Sequence, residues 1–162
     1  MSKIIRLIAR WSLLCSSAII LSQTASSAER GRHVDAKALA GQVTIYRDVY
    51  GVPHVFGKTD ASTVFGFAYA QAEDNFWRIE DNYIRSIGRA SELYGEETLN
   101  NDRLNHALEI PRLAREEYAR LDEHTRSICD AYAAGLNFYL SRHPEIKPRL
   151  LGKIEPWYPL AF

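Results

Sequence analysis

The sequence predicts an α+β fold that is mainly helical, with a short strand pair near its N-terminal side. Three observations carry this expectation. Phe65, Tyr69, Ala72, Phe76, Ile79, Tyr83 and Ile87 recur at steps of three and four residues, one apolar stripe at the helical period. Val43, Thr44, Ile45 and Tyr46 are strand formers, and a Tyr50-Gly51-Val52-Pro53 turn separates them from His54-Val55-Phe56. Two more helical patterns open at Pro111 and Asp122.

Taken in order, the first stretch reads as a secretory signal over residues 1–28. Lys3, Arg6 and Arg10 form a positive region without acids, and Leu13, Leu14, Ala18, Ile19, Ile20 and Leu21 make a short apolar core. Ser26-Ser27-Ala28 fits a cleavage site. A stable membrane anchor is not expected, because Ser22, Gln23 and Thr24 cut the apolar run short of the roughly 20 residues a span needs. Export to the periplasm or the medium follows as an expectation. Cys15 leaves with such a signal, so Cys129 remains without a disulfide partner.

Residues 29–41 read as a polar lead-in, and the strand pair follows. Asp60 is the expected N-cap of the long striped helix, and Gly88 its stop. Asp74–Arg78 and Asp81–Arg85 are spaced as i,i+4 ion pairs. A polar segment holds Gly95 and Asn100-Asn101-Asp102. Pro111 starts a second helix, with Leu113, Ala114, Tyr118 and Leu121 inward. Asp122 caps a third, with Ile128, Tyr132, Gly135, Leu136 and Tyr139 near one face. Gly135 inside a helix points to close approach of another backbone. The apolar ending, Pro156-Trp157-Tyr158-Pro159-Leu160-Ala161-Phe162, either folds back or leads into further chain.

The composition narrows the function classes. The 162 residues hold 20 Lys+Arg and 20 Asp+Glu, with 46% hydrophobic and 25% charged residues. That is ordinary for a globular protein and excludes disordered and fibrous classes. Zero formal net charge argues against a nucleic-acid binder.

Local motifs for chemistry are weak. Gly57-Lys58-Thr59 suggests a phosphate loop and a membrane-anchored nucleotide binder. However, five residues separate it from Gly51 where four are needed, and Pro53 lacks an amide. His33, His54, His106, His124 and His143 form no metal-ligand spacing, and His33-x-Asp35 is the nearest to a ligand pair. His54, beside Arg47-Asp48, reads as a structural hydrogen bonder, with a base or oxyanion donor as the alternative. Glu73-Asp74 and Glu80-Asp81 could be a two-carboxylate or metal site, but helix pairing explains them. Cys129 lies on an apolar stripe and reads as a small buried hydrophobe. No Gly-x-Ser-x-Gly occurs, and the cleaved N-terminus would be Glu29 rather than a nucleophile.

Longer strings are more specific. Tyr46-Arg47-Asp48-Val49-Tyr50-Gly51-Val52-Pro53-His54-Val55-Phe56-Gly57 resembles the start of the penicillin acylase family. So does Phe65-Gly66-Phe67-Ala68-Tyr69-Ala70-Gln71-Ala72-Glu73-Asp74-Asn75-Phe76-Trp77. Gly88-Arg89-Ala90-Ser91-Glu92-Leu93-Tyr94-Gly95, Ala131-Tyr132-Ala133-Ala134-Gly135-Leu136-Asn137 and Pro156-Trp157 follow in the family's order.

The resemblance implies the front part of a four-layer αββα N-terminal-nucleophile hydrolase, so residues 29–162 would be a partial α-chain region. It implies an exported precursor that cleaves itself into α and β chains. A serine at the start of the β chain attacks a linear amide, with its own α-amine as base. The implied partners are that β chain and a small acyl amide: a β-lactam antibiotic, an acyl-homoserine lactone signal or a lipopeptide side chain. Calcium is implied only for the complete fold. No Gly-Ser junction occurs here, and the family's metal and acyl-pocket residues come from later segments. No catalytic, substrate-binding or metal residue is therefore assigned, Arg47, Asp48 and Glu73 are read as structural, and this stretch alone is expected to be inactive. The competing expectation is a non-catalytic helical binding or scaffold module, or a degraded gene product.

Overall fold

The structure, a computed structural model, describes residues 34–162. The expected signal over 1–28 and His33 lie outside the described residues. Helix α1, Ala36–Ala40, is a single turn inside the expected polar lead-in. Asp35 caps it by accepting the amides of Lys37 and Ala38 at 3.0 Å.

Strands β1, Val43–Arg47, and β2, Pro53–Gly57, pair antiparallel with Ile45 opposite Val55. Val43, Ile45 and Val55 face the interior, while Thr44, Tyr46, His54 and Phe56 face outward. Gly51, with φ +80°, takes the left-handed turn position between them.

Helix α2, Asp60–Ser86, is the expected long striped helix. Its N-cap is Thr59 rather than Asp60. Thr59 is extended, and its hydroxyl accepts the Ser62 amide while the Ser62 hydroxyl accepts the Thr59 amide. Asp60 sits instead in the first turn, where its charge suits the positive helix end. The helix is also broken once. Asn75 is extended, with φ −167° and ψ 82°, and its Oδ1 accepts the Arg78 amide. Asn75 thus caps a second half-helix. Gly88, with φ +69°, ends α2 as expected, and the Arg89 amide reaches back to Ile84 O at 2.9 Å.

Two further helices occupy the expected polar segment: α3, Ser91–Tyr94, and α4, Glu96–Ala107. No apolar stripe announces α4 because its buried positions are Thr98 and Asp102, one turn apart. Asp102 caps α3 from outside, accepting the amides of Ala90 at 3.0 Å and Ser91 at 2.7 Å. Helix α5, Ile110–Arg120, carries Pro111 in its first turn, as expected. Helix α6, Glu123–Arg142, starts at the Asp122 cap, whose carboxylate accepts the Thr125 amide at 3.0 Å. The C-terminal tail folds back as a 3₁₀ turn, Tyr158–Ala161, with Tyr158 5.6 Å from the Tyr83 ring.

Helix α2 is the centre of the packing. The β-hairpin covers one side of its first half and α6 covers the other. Two glycines, one on each helix, permit these approaches. A Cβ on Gly66 would lie 2.4 Å from Val43 Cγ1, and one on Gly135 would lie 2.3 Å from Phe65 O. The sequence reading of Gly135 as a point of close backbone approach holds. The core continues through Phe76, Ile84, Leu136 and Ile154, all fully buried. Each such side chain contributes about 1.5–3 kcal/mol by leaving water.

Candidate functional site

The polar residues singled out in the sequence converge where the hairpin meets the end of the first half of α2. Arg47 is the last residue of β1, and its guanidinium points at that helix end. It donates to Gly51 O at 2.8 Å, Glu73 Oε2 at 3.1 Å and Ala70 O at 3.4 Å, and it lies 2.8 Å from Asp74 Oδ1. A cation at a helix C-terminus also answers the negative pole of the helix. The hydrogen bond that Arg47 donates to Glu73, with Asp74 beside it, holds Arg47 above its ordinary pKa.

Asp48 lies in the turn. Its Oδ1 accepts the amides of Tyr50 and Val52 at 2.9 and 3.0 Å, and Oδ2 lies 3.2 Å from His54 Nε2. The His54 contact, helped by the two amides, holds the Asp48 carboxyl below its ordinary range. His54 is therefore the structural hydrogen bonder that the sequence suggests, and the side chain it meets is Asp48.

The other acidic residues separate. The expected Asp74–Arg78 pair does not form, because the break at Asn75 changes the helical phase and Asp74 turns to Arg47. Asp81 does pair with Arg85 at 2.8 Å. It also accepts the Tyr94 hydroxyl, whose ring has the guanidiniums of Arg85 and Arg149 4.8 and 5.1 Å from its centroid. Glu80 is fully buried and faces no cation. It accepts the backbone amides of Arg149, Leu150 and Leu151 at 2.8–2.9 Å. Sequence reasoning missed that role. The available signal was its position four residues from both Phe76 and Ile84, in phase with the buried row.

This arrangement organises backbone and offers no activated nucleophile among the described residues. The hydroxyls of Ser62, Ser86, Ser127 and Ser141 each donate to a carbonyl of the same turn, and that of Ser91 bonds Asp102, whose two oxygens also hold the Ala90 and Ser91 amides. Cys129 is buried, as the sequence suggests, and burial together with Asp130 pushes its thiol above the ordinary pKa. Gly57-Lys58-Thr59 forms no anion cradle, since Thr59 and Ser62 already hold each other's amides and Lys58 N–H bonds to Gln42 O. The histidines stay apart: His106 bonds Gly88 O at 3.0 Å, His124 lies 3.6 Å from Asp60, and His143 bonds Glu145 at 2.9 Å. Asp35, the other member of the His33 pair, is taken up by the α1 cap.

Concavities among the described residues lie elsewhere. One, of about 620 Å³, is lined by Arg85, Asn101, Asn105, Leu113, Glu116 and Phe162. Its carboxylates and guanidiniums are largely paired among themselves or with neighbours, Arg85 with Asp81 and Glu116 with Arg112.

The penicillin amidase family model matches residues 42–162. The chain is 32% identical over 126 residues to penicillin acylase 2 proenzyme of Pseudomonas sp. strain SE83, covering 75% of this chain and 16% of that protein. It is 30% identical over 112 residues to acyl-homoserine lactone acylase QuiP of Pseudomonas putida, covering 69% of this chain and 14% of that protein. Among solved structures it is similar to a thermostable penicillin G acylase from Alcaligenes faecalis, with TM-score 0.63 and 25% identity. That alignment covers 74% of this chain and 68% of the solved chain. The chain thus spans about one-sixth or less of the curated relatives just described.

Proposed function

Because this chain belongs to the penicillin amidase family, we propose that it is the front segment of an exported two-chain hydrolase that cleaves a linear amide to release an acyl group. The match over residues 42–162 carries the reading. One relative is named a proenzyme. The alignments take up 14–16% of two curated relatives but 68% of a solved chain, which supports a mature enzyme divided between chains. The relatives' names point to an acylated β-lactam or an acyl-homoserine lactone as substrate.

In this reading the reaction is acyl transfer to water through a serine at the head of the second chain. Its hydroxyl oxygen adds to the amide carbonyl, and its α-amine takes the proton. The C–N bond breaks as the amine leaves protonated, and water then releases the acid from the serine ester. Residues of the present chain hold the frame. Arg47 fixes the hairpin to α2, Glu80 fixes the 149–151 turn, and Asn137 exchanges two hydrogen bonds with Ile154 at 2.8 and 2.9 Å. Calcium does not fit the described residues. No three His, Cys, Asp or Glu side chains among them converge, and the nearest carboxylates are bound to Arg47 or to amides. Export rests on the signal pattern of residues 1–28. Among the described residues no helix is long and apolar enough to cross a membrane.

The test is hydrolysis of a chromogenic phenylacetyl anilide and of an acyl-homoserine lactone. The purified 162-residue chain should turn over neither. The longest product expressed from the gene should hydrolyse at least one, with one burst of product per serine. Turnover by the 162-residue chain, or silence of the longer product on both substrates, would overturn the reading.

A further inference from the structure

We propose that the pocket between the start of α5 and the C-terminal tail binds a small organic carboxylate, an aryl or short-chain acid, held by Arg115 and Tyr158. The inference stands apart from the acylase reading above. The pocket holds about 350 Å³, at the small end of ligand sites. Most of the charge around it is already matched. Arg89 donates to Glu92 through Nε and Nη2 at 2.5 and 2.7 Å. Arg112 donates to Glu109 through Nε and Nη2 and to Glu116 through Nη1. The His106 Nε2–H goes to Gly88 O at 3.0 Å. Arg115 is the exception. Among the described residues it forms no ion pair, and its single hydrogen bond runs from Nη1 to Pro111 O at 3.0 Å. Its guanidinium carbon lies 4.1 Å from the Trp157 ring centroid. That cation–π contact fixes the side chain and uses none of its N–H groups.

Tyr158 supplies a second, independent observation. It is only 7% exposed, yet its hydroxyl meets no hydrogen-bond partner among the described residues. A buried tyrosine ordinarily finds one. Burial and Glu155 push its pKa up, while Arg89 and Arg115 act against them, so both guanidiniums face the phenol from the pocket side. The hydroxyl is not sealed off either, since Arg126 Nε is the one side-chain atom among the described residues that lacks both a partner and solvent. A ligand that satisfies Arg115 and Tyr158 together must accept hydrogen bonds and carry negative charge. A carboxylate does both, through charge-assisted bonds. The rest of the wall suits a carbon body. Ile87 and Pro111 are buried and Trp157 half-buried, so an aryl or alkyl group leaves water against them, whereas the further oxygens of a phosphate would find no donors there. The carboxylate lining the pocket, Glu109, is neutralised by Arg112 and does not repel the ligand.

Arginine modification by phenylglyoxal, read peptide by peptide by mass spectrometry on the longest product of the gene, tests the site. Arg115 is exposed and should react freely in the absence of ligand. Benzoate at about 10 mM should slow its modification about tenfold, as a dissociation constant of about 1 mM requires, and leave exposed Arg78 unchanged. Neutral benzamide and inorganic phosphate at the same concentration should protect less than about twofold. Tyr158→Phe removes one bond to the bound anion and should need about tenfold more benzoate for the same protection; the parent chain decides alone if that variant fails to fold. Four results each overturn the proposal. Arg115 that reacts equally with and without benzoate has no site. Equal protection by phosphate marks a general anion patch, and equal protection by benzamide shows that charge is not recognised. Arg115 that resists phenylglyoxal before any acid is added is covered by other parts of the protein. Hydrolysis plays no part in the readout, so the acylase reading stands or falls separately.

Discussion

The carboxylate of Glu80 accepts the backbone N–H of Leu150 at 2.8 Å across 70 positions of sequence. Arg149 and Leu151 donate to the same carboxylate at 2.9 Å, and no part of Glu80 reaches solvent. The turn at 149–151 therefore owes its place to one helical side chain. Glu80→Gln keeps one acceptor oxygen and aims a new N–H donor at amides that are themselves donors. Leaving buried donors unpaired costs about 1–3 kcal/mol each. The variant should lower the urea midpoint by the equivalent of about 2–4 kcal/mol, with little change in slope. An unchanged midpoint would show that the three amides find other acceptors.

Gly135→Ala is expected to destabilise the chain although it improves local helix propensity by about 1 kcal/mol. The added methyl would sit 2.3 Å from the backbone carbonyl of Phe65. A backbone atom cannot rotate aside, so α2 and α6 must separate. Overpacking of this kind costs about 1–3 kcal/mol, and the melting temperature should fall by several degrees. Gly152→Ala is the control, because nothing lies within 4 Å of its Cβ position. Equal melting temperatures for the two variants would contradict the packing.

The long-range contacts explain what the sequence shows and what it hides. The stripe on α2, the stop at Gly88, the cap at Asp122 and the purpose of Gly135 are legible because each is encoded within a few residues. The break at Asn75 is not, because it interrupts an apolar stripe that runs on in helical phase through Phe76, and the Arg47 contacts beside it come from the distant hairpin. Helix α4 hides for a different reason: its inward row is Thr98 and Asp102, which reads as polar loop until α3 is placed over it. Thr59 displaces Asp60 as cap only through its reciprocal bonds with Ser62. At the candidate site, the paired carboxylates invite a reading of two-acid chemistry. The fold gives one pair to Arg47 and splits the other between a backbone turn and a tyrosine–arginine cluster.

Asp102 should give the chain a measurable acid limb. Burial pushes its pKa upward, but hydrogen bonds from the Ser91 hydroxyl, the Ser91 amide and the Ala90 amide more than reverse this, leaving it below the ordinary value. The unfolded chain then binds the proton first, at a pH near 4. The stabilisation is fully present above that pH and is lost as pH falls through the lower folded-state value. Asp102→Asn keeps an acceptor for only one of the two amides and is less stable at neutral pH, but it cannot titrate. Its unfolding free energy should decline less steeply between about pH 4 and pH 2 than that of the parent. Parallel curves would show that other carboxylates carry the whole limb.

Arg47 joins three parts of the fold, and its replacement separates charge from geometry. Arg47→Met removes the cation from Glu73 and Asp74 and uncaps Ala70 O, whereas Arg47→Lys keeps the charge but not the fork that reaches several acceptors. The pair is partly exposed, so screening by water limits the ionic part to at most about 1 kcal/mol. Arg47→Met should cost about 1–2 kcal/mol, ionic pairing and lost cap together. Arg47→Lys should recover less than half of it. High salt should narrow the gap between Met and Lys, because only the ionic part is screened. In both variants the amides of Thr44 and Tyr46 should exchange faster while those of α6 stay slow, since the hairpin loosens from α2 without opening the α2–α6 core. Full rescue by lysine would mean that charge alone holds the joint, and uniform acceleration across α6 would mean that Arg47 supports the whole fold.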